Sequence, residues 1–178
     1  MAEQRDWRLG LDPGKQTGWA AFCGSEMRMS GSIGGGLDGF IDWWASDGKW
    51  FLHTNCLSVV CERFVPEAGL GGADQAWSLE IQGVVRFLAR QHGFPLALQL
   101  RSDKAALFGQ EEVGDKGATE RRAWLAERGL TFETDHAMDA ATHVLVERKR
   151  ARDMQFWRRY WMRPISEEDA AHFPLMPQ

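Results

Sequence analysis

Leu57 to Val65 reads Leu-Ser-Val-Val-Cys-Glu-Arg-Phe-Val, a nearly continuous apolar run of strand length, and Pro66 ends it. A strand of that composition is covered on both faces, which places it centrally in a sheet with helices packed on each side. The run therefore calls for a layered α/β domain. Glu62 stands out within it, because glutamate is almost never fully buried without a partner. A carboxylate there must be paired, hydrogen-bonded or bound to a cation. The competing reading is a surface-facing residue of an alternating strand, or a salt bridge to a basic group such as Arg63.

The flanking sequence supplies the rest of the sheet. Residues 7–12 and 17–23 form two strands joined by the turn Pro13-Gly14-Lys15-Gln16. Met27, Met29, Gly31 and Ile33 alternate with polar residues as a third strand, close enough to the second for an antiparallel meander. Gly34-Gly35-Gly36 precedes a helical stretch with Phe40, Trp43 and Trp44, and residues 74–91 carry Trp77, Ile81, Val84, Val85 and Leu88 at helical spacing. Leu96, Leu98 and Leu100 give a fifth strand. Ser102 is a candidate cap for a short helix through Leu107. Residues 118–128 form a helix ended by Gly129, and residues 135 to about 152 form the last clear helix, with a prolongation to Tyr160 open. The resulting fold class is α/β, ribonuclease H-like: a five-stranded mixed sheet, with a three-strand antiparallel meander plus two parallel strands and helices on both faces.

At 178 residues, 44% hydrophobic and 26% charged, the chain fits one ordinary domain. Residues 1–152 are read as that domain and 153–178 as a basic, aromatic C-terminal extension. No run approaches the roughly 18 apolar residues of a transmembrane span, and the polar N-terminus lacks a secretory signal, so a cytoplasmic location is expected. Cys23, Cys56 and Cys61 lack zinc-site spacing; Cys23 and Cys61 are read as core residues, and disulfides are not expected. Net charge is -4, yet Arg148 to Arg163 holds seven basic residues against one acid. That segment is either a phosphate-binding face or a solvated helix end with charge favourable to its dipole. Gly109 to Lys116 looks superficially like a P-loop, but Asp115 intervenes before the lysine and would repel phosphate.

Two further acids share the setting of Glu62. Asp12 closes the first strand in Leu11-Asp12-Pro13-Gly14, and Asp139 lies near the start of the last helix. Alone, Asp12-Pro13-Gly14 is a simple β-turn. Its return through Thr17-Gly18-Trp19 into a strand, with Gly14 open to close backbone approach and Lys15 able to meet a phosphate, makes it a candidate site. His136 and Asp139 are three apart, and Asp135 and Asp139 four apart, so either pair shares a helix face; Asp135 has a helix cap as its alternative role. His143, four beyond Asp139, could orient it or be a half-exposed histidine with an ordinary hydrogen bond. Ala137, Ala140 and Ala141 suit close packing on a sheet.

Leu9-Gly10-Leu11-Asp12-Pro13-Gly14 with Thr17-Gly18-Trp19, Val60-Cys61-Glu62-Arg63-Phe64, and His136-Ala137-Met138-Asp139-Ala140 together resemble the RuvC family of Holliday junction resolvases, over about residues 7–146. The resemblance implies a metal-binding, catalytic quartet of Asp12, Glu62, His136 and Asp139, with Asp135 a less secure substitute for His136. It implies basic DNA contacts, for which Lys104 and Lys116 match best, beside Lys15. Phe64 is a candidate wedge near the branch point, with a core phenylalanine as its alternative. The expected mechanism is two-metal phosphodiester hydrolysis, with two Mg²⁺ (Mn²⁺ as substitute) about 3.5–4 Å apart, giving 5′-phosphate and 3′-hydroxyl ends. A homodimer would make paired nicks in a four-way DNA junction. The arginine- and tryptophan-rich tail departs from the family pattern and could bind DNA, widen a dimer contact or pack on the domain. Rival readings are a nuclease for flaps or forks, a non-catalytic junction-binding module, and a sugar-kinase or actin-like domain, for which the chain is too short.

Overall fold

The structure, a computed structural model, describes residues 6–53, 57–66, 73–108 and 117–161. Strands β1 (Trp7–Asp12), β2 (Thr17–Cys23), β3 (Glu26–Ile33), β4 (Leu57–Arg63) and β5 (Leu96–Leu100) form one sheet in the order β3-β2-β1-β4-β5. The β1–β2 and β2–β3 pairs are antiparallel, and the β1–β4 and β4–β5 pairs are parallel. This is the expected meander joined to two parallel strands, with β1 at the join.

Helices α1 (Gly36–Ser46) and α2 (Ala73–His92) cover one face, over a core of Leu9, Leu11, Val59, Cys61, Phe40 and Ile81. On the other face lie α3 (Ala105–Phe108), α4 (Ala118–Ala126), α5 (Asp135–Arg150) and α6 (Met154–Tyr160), over Phe22, Met138, Ala141, Val144 and Phe156. The apolar run of β4 thus has cover on both sides, as its composition requires.

Helix α5 lies directly against β1 and β2 because two glycines leave room. A Cβ on Gly10 would stand 2.2 Å from the Ala140 carbonyl oxygen, and one on Gly18 would stand 1.9 Å from that of His136. Ala137, Ala140 and Ala141 complete the contact and are fully buried. No long side chain intervenes, so the helix backbone is held against the strands at van der Waals distance.

Two points that the sequence reading leaves open are decided by local contacts. Thr134, not Asp135, caps α5: its hydroxyl accepts from the Ala137 amide at 3.1 Å, while Asp135 pairs with Arg122. The helix does not run on to Tyr160. Arg152 takes a left-handed conformation (φ 54), and Asp153 caps α6 by accepting from the Gln155 and Phe156 amides. Helix α6 then packs inward, with Phe156 wholly buried and its ring 5.8 Å from that of Phe22. Three arginines of the basic segment are occupied within the chain. Arg148 is buried between Asp6 and Asp153, Arg150 pairs with Asp103, and Arg159 pairs with Glu26. Among the described residues no helix is long and apolar enough to cross a membrane, and Cys23 and Cys61 are free thiols.

A methyl group at Gly10 has nowhere to go, so Gly10→Ala should cost about 2–4 kcal/mol by overpacking. Gly83, inside α2 with nothing within 4 Å of an added Cβ, gives the opposite case. Gly83→Ala should add about 0.5–1 kcal/mol by restricting the unfolded chain. Urea denaturation of the two variants checks both signs.

Candidate active site

The site forms at the carboxyl ends of the parallel strands, the usual place for chemistry in such sheets. Asp12 is the last residue of β1, and Glu62 the last but one of β4. Alternation along each strand turns both toward α5, as Gly10 shows for β1. Helix α2 fixes the two strand ends from the other side. Its Ser78 hydroxyl donates to the Pro13 carbonyl at 2.8 Å, and one turn on the Gln82 amide donates to the Glu62 carbonyl at 3.3 Å. Asp139 comes from the first turns of α5, the helix that the glycines admit.

Lys104 sits at the centre. Its Nζ lies 2.8 Å from Glu62 Oε2, 3.1 Å from Asp139 Oδ2 and 3.7 Å from Asp12 Oδ1. A short 3₁₀ turn after β5, Arg101–Lys104, delivers it. Asp103 holds that turn by accepting from the Leu100 amide at 2.8 Å and from Arg150 at 2.7 Å. The Arg150 hydrogen bond keeps the Asp103 carboxyl below its ordinary range, against a small opposing effect of burial. Three carboxylates on three elements therefore share one ammonium group.

The charges respond to this crowding. Burial pushes the Asp12 carboxyl up, and the His136 hydrogen bond and the Lys104 charge only partly offset it. Glu62 is partly buried too, but hydrogen bonds from His143 and Lys104 and the lysine charge outweigh that and hold it well below the usual range. Burial opposes protonation of Lys104, yet the three acids hold it more firmly protonated than a free lysine.

His136 stands at the rim, 46% exposed, with Nδ1 at 3.4 Å from Asp12 Oδ2. That hydrogen bond, against partial burial, raises its pKa above the usual 6.5. His143 differs from the half-exposed partner of Asp139 that its spacing suggests. It is wholly buried, and its Nε2 lies 2.9 Å from Glu62 Oε2 and its Nδ1 3.1 Å from Gln99 Oε1. Helix α5 faces two strands here, and the i, i+4 rule sees only the helix. Gln99, directly across from Glu62 in the β4–β5 register, also escapes the sequence reading. A lone polar residue in Leu-Ala-Leu-Gln-Leu is its available signal. Arg121 of α4 approaches Asp139 at 3.5 Å.

The remaining candidates lie around this centre. Lys15 is exposed on the turn, its Nζ 5.6 Å from the Trp77 ring centroid. Phe64 is not a core residue: it is half-buried and lines a cavity of about 360 Å³ with Glu62, Arg63 and Arg101. Lys116 and the glycine-bounded stretch before it lie outside the described residues, as do Cys56 and the tail from residue 162.

The donor set suits a hard divalent cation. Carboxylate oxygens from three elements already converge on one positive group, the ammonium standing in for an ion. Among the described residues Asp12, Glu62 and His143 can also each present a ligand atom, all within 4.8 Å of one another.

Sheet order, meander and helix placement define a ribonuclease H-like fold. Within that class the chain has the fold of RuvC. It superposes on Thermus thermophilus RuvC in complex with a Holliday junction substrate with a TM-score of 0.61 at 16% identity, covering 85% of this chain and 97% of that one. A second T. thermophilus RuvC structure gives 0.59 at 16% identity, over 82% and 95% of the two chains. No protein-family model and no curated protein sequence matches the chain.

The shared ammonium predicts a pH signature for the metal-free protein. The folded pKa of Lys104 lies above its unfolded value of 10.5. Its stabilising effect is therefore complete below pH 10.5 and is lost as pH climbs through the folded pKa. Lys104→Met should cost about 1–3 kcal/mol at neutral pH, allowing for partial exposure of the acids. The gap to wild type should close at alkaline pH, as followed by urea denaturation in chelator.

Proposed function

We propose that the chain is a metal-dependent endonuclease that resolves four-way DNA junctions by paired nicks. The observation that carries the reading is the meeting of Asp12, Glu62 and Asp139 within 3.7 Å of one cationic group, in a fold shared with a protein solved on a Holliday junction. Asp12, Glu62 and Asp139, with His136 at the rim, would hold two Mg²⁺ ions or Mn²⁺ in their place. When bound, such ions supply a nucleophilic water at neutral pH and stabilise charge on the leaving 3′ oxygen, giving 5′-phosphate and 3′-hydroxyl ends.

The chain's own residues do the placing. Asp12 and Glu62 are fixed through their strand ends by Ser78 and Gln82 of α2, and Asp139 by the seat of α5 on Gly10. Lys104, released from these acids by the ions, would meet a scissile phosphate at the same point. Lys15, and Lys116 beyond the described residues, would contact backbone phosphates on either side. Phe64, half-buried on the cavity beside Glu62, would wedge against an opened base step. Leu79 and Phe87, 41% and 63% exposed and two turns apart on α2 with Gly83 between them, form an apolar stripe that the core does not use. That stripe supports a homodimer, which would offer two sites to one junction.

Asp12→Asn, Glu62→Gln and Asp139→Asn should each slow cleavage of a labelled four-way junction about 10³-fold or more, because a lost ligand removes several kcal/mol of transition-state stabilisation. Junction affinity in a gel-shift assay should remain near wild type. Equal cutting of flap or fork substrates by wild type would redirect the reading to branched DNA in general. An Asp12→Asn protein that nicks normally would refute the assignment.

A further inference from the structure

We infer that His143 and Gln99 are positioning residues for Glu62, a buried imidazole–amide pair that fixes the carboxylate from behind; this rests on the metal-nuclease reading of the site. His143 is 0% exposed, and its neighbours along α5, Ala140, Ala141, Val144 and Leu145, are all buried apolar residues. A polar ring there is unfavourable unless both nitrogens are satisfied. Each has a partner: Nε2 faces the Glu62 carboxylate at 2.9 Å and Nδ1 the Gln99 side-chain amide at 3.1 Å.

The chemistry assigns the direction of the tether. Nε2 faces a carboxylate, so it carries the hydrogen and donates to Glu62. The Gln99 amide can present either its oxygen or its NH₂ to Nδ1, so it keeps the ring in place whichever proton state Nδ1 has. Gln99 and Glu62 are directly paired across β4 and β5, so the whole unit is built on two hydrogen-bonded strands and a packed helix. Glutamate has flexible side-chain torsions whose freedom would otherwise be lost on binding a cation. Held at Oε2, the carboxylate is pre-set, with its remaining lone pairs available to the cup. Although His143 could also offer a ligand atom, its Nε2 is engaged by Glu62 and its Nδ1 by Gln99, and we assign it to holding Glu62 rather than the ion.

The test is Mn²⁺ affinity, measured by calorimetry on the DNA-free protein, alongside the metal-free thermal midpoint. His143→Leu, close in volume, should weaken Mn²⁺ binding about ten- to 100-fold, the usual range for removing the group behind a ligand. His143→Gln, which returns an N–H to the same place, should recover most of that loss. Gln99→Leu should shift affinity the same way by a smaller factor. In a Glu62→Gln background His143→Leu should add less than about threefold, because the two act as one unit. Wild-type affinity in both leucine variants would overturn the role, and so would an undiminished His143→Leu effect without the Glu62 carboxylate. If His143→Leu does not fold, Gln99→Leu and His143→Gln carry the test alone. Wild type that binds no Mn²⁺ would sink the metal reading itself; wild type that binds, with variants unchanged, sinks only the tether.

Discussion

The site depends on a contact that contains almost no side chain: the backbone of α5 resting on Gly10 of β1 and Gly18 of β2. An added Cβ at either position would fall well inside the contact distance of a helix carbonyl. That seat sets the height of α5 above the sheet, and with it the positions of His136, Asp139 and His143. A larger residue at either glycine would lift the helix and separate Asp139 from the two strand-borne acids. The alanines at 137, 140 and 141 are the other half of the same device.

What the seat assembles would repel itself without a cation. Three carboxylates converge, one with its pKa raised by burial, and Lys104 supplies the charge that lets them do so. Its backbone is itself held by Asp103 and, through that residue, by Arg150 of α5. A segment whose charge suits a basic DNA-binding face thus also helps to set the lysine at the heart of the acids. Arg148 and Arg159 are likewise committed to intramolecular pairs, which weakens the case for that segment as an open phosphate-binding face.

Much of this is legible in the sequence, for physical reasons. The apolar run around Glu62 has a single sensible environment, and the alternating β3 and the helix-spaced α2 have periods that local sequence records. Asp12, Glu62 and Asp139 are visible because carboxylates beside apolar runs demand compensation. Breaks that depend on one residue are harder to see. The end of α5 turns on Arg152 entering a left-handed conformation and Asp153 capping α6, and a charge run does not announce either. His143 and Gln99 are misread or missed because their partners lie on other elements. Helical spacing points His143 at Asp139, while the fold turns it to Glu62 on β4. Likewise, Lys104 reads as a contact for DNA, and its placement among the acids is a tertiary fact.

The central claim is that these acids form one cation-binding cup. It is tested most directly by diffraction from crystals soaked in Mn²⁺, with anomalous differences collected near the manganese edge. Manganese is expected among the carboxylate oxygens of Asp12, Glu62 and Asp139, with the Lys104 ammonium displaced from its present place between them. Carboxylates that keep Lys104 at saturating Mn²⁺, with manganese bound only elsewhere or nowhere, would contradict the account.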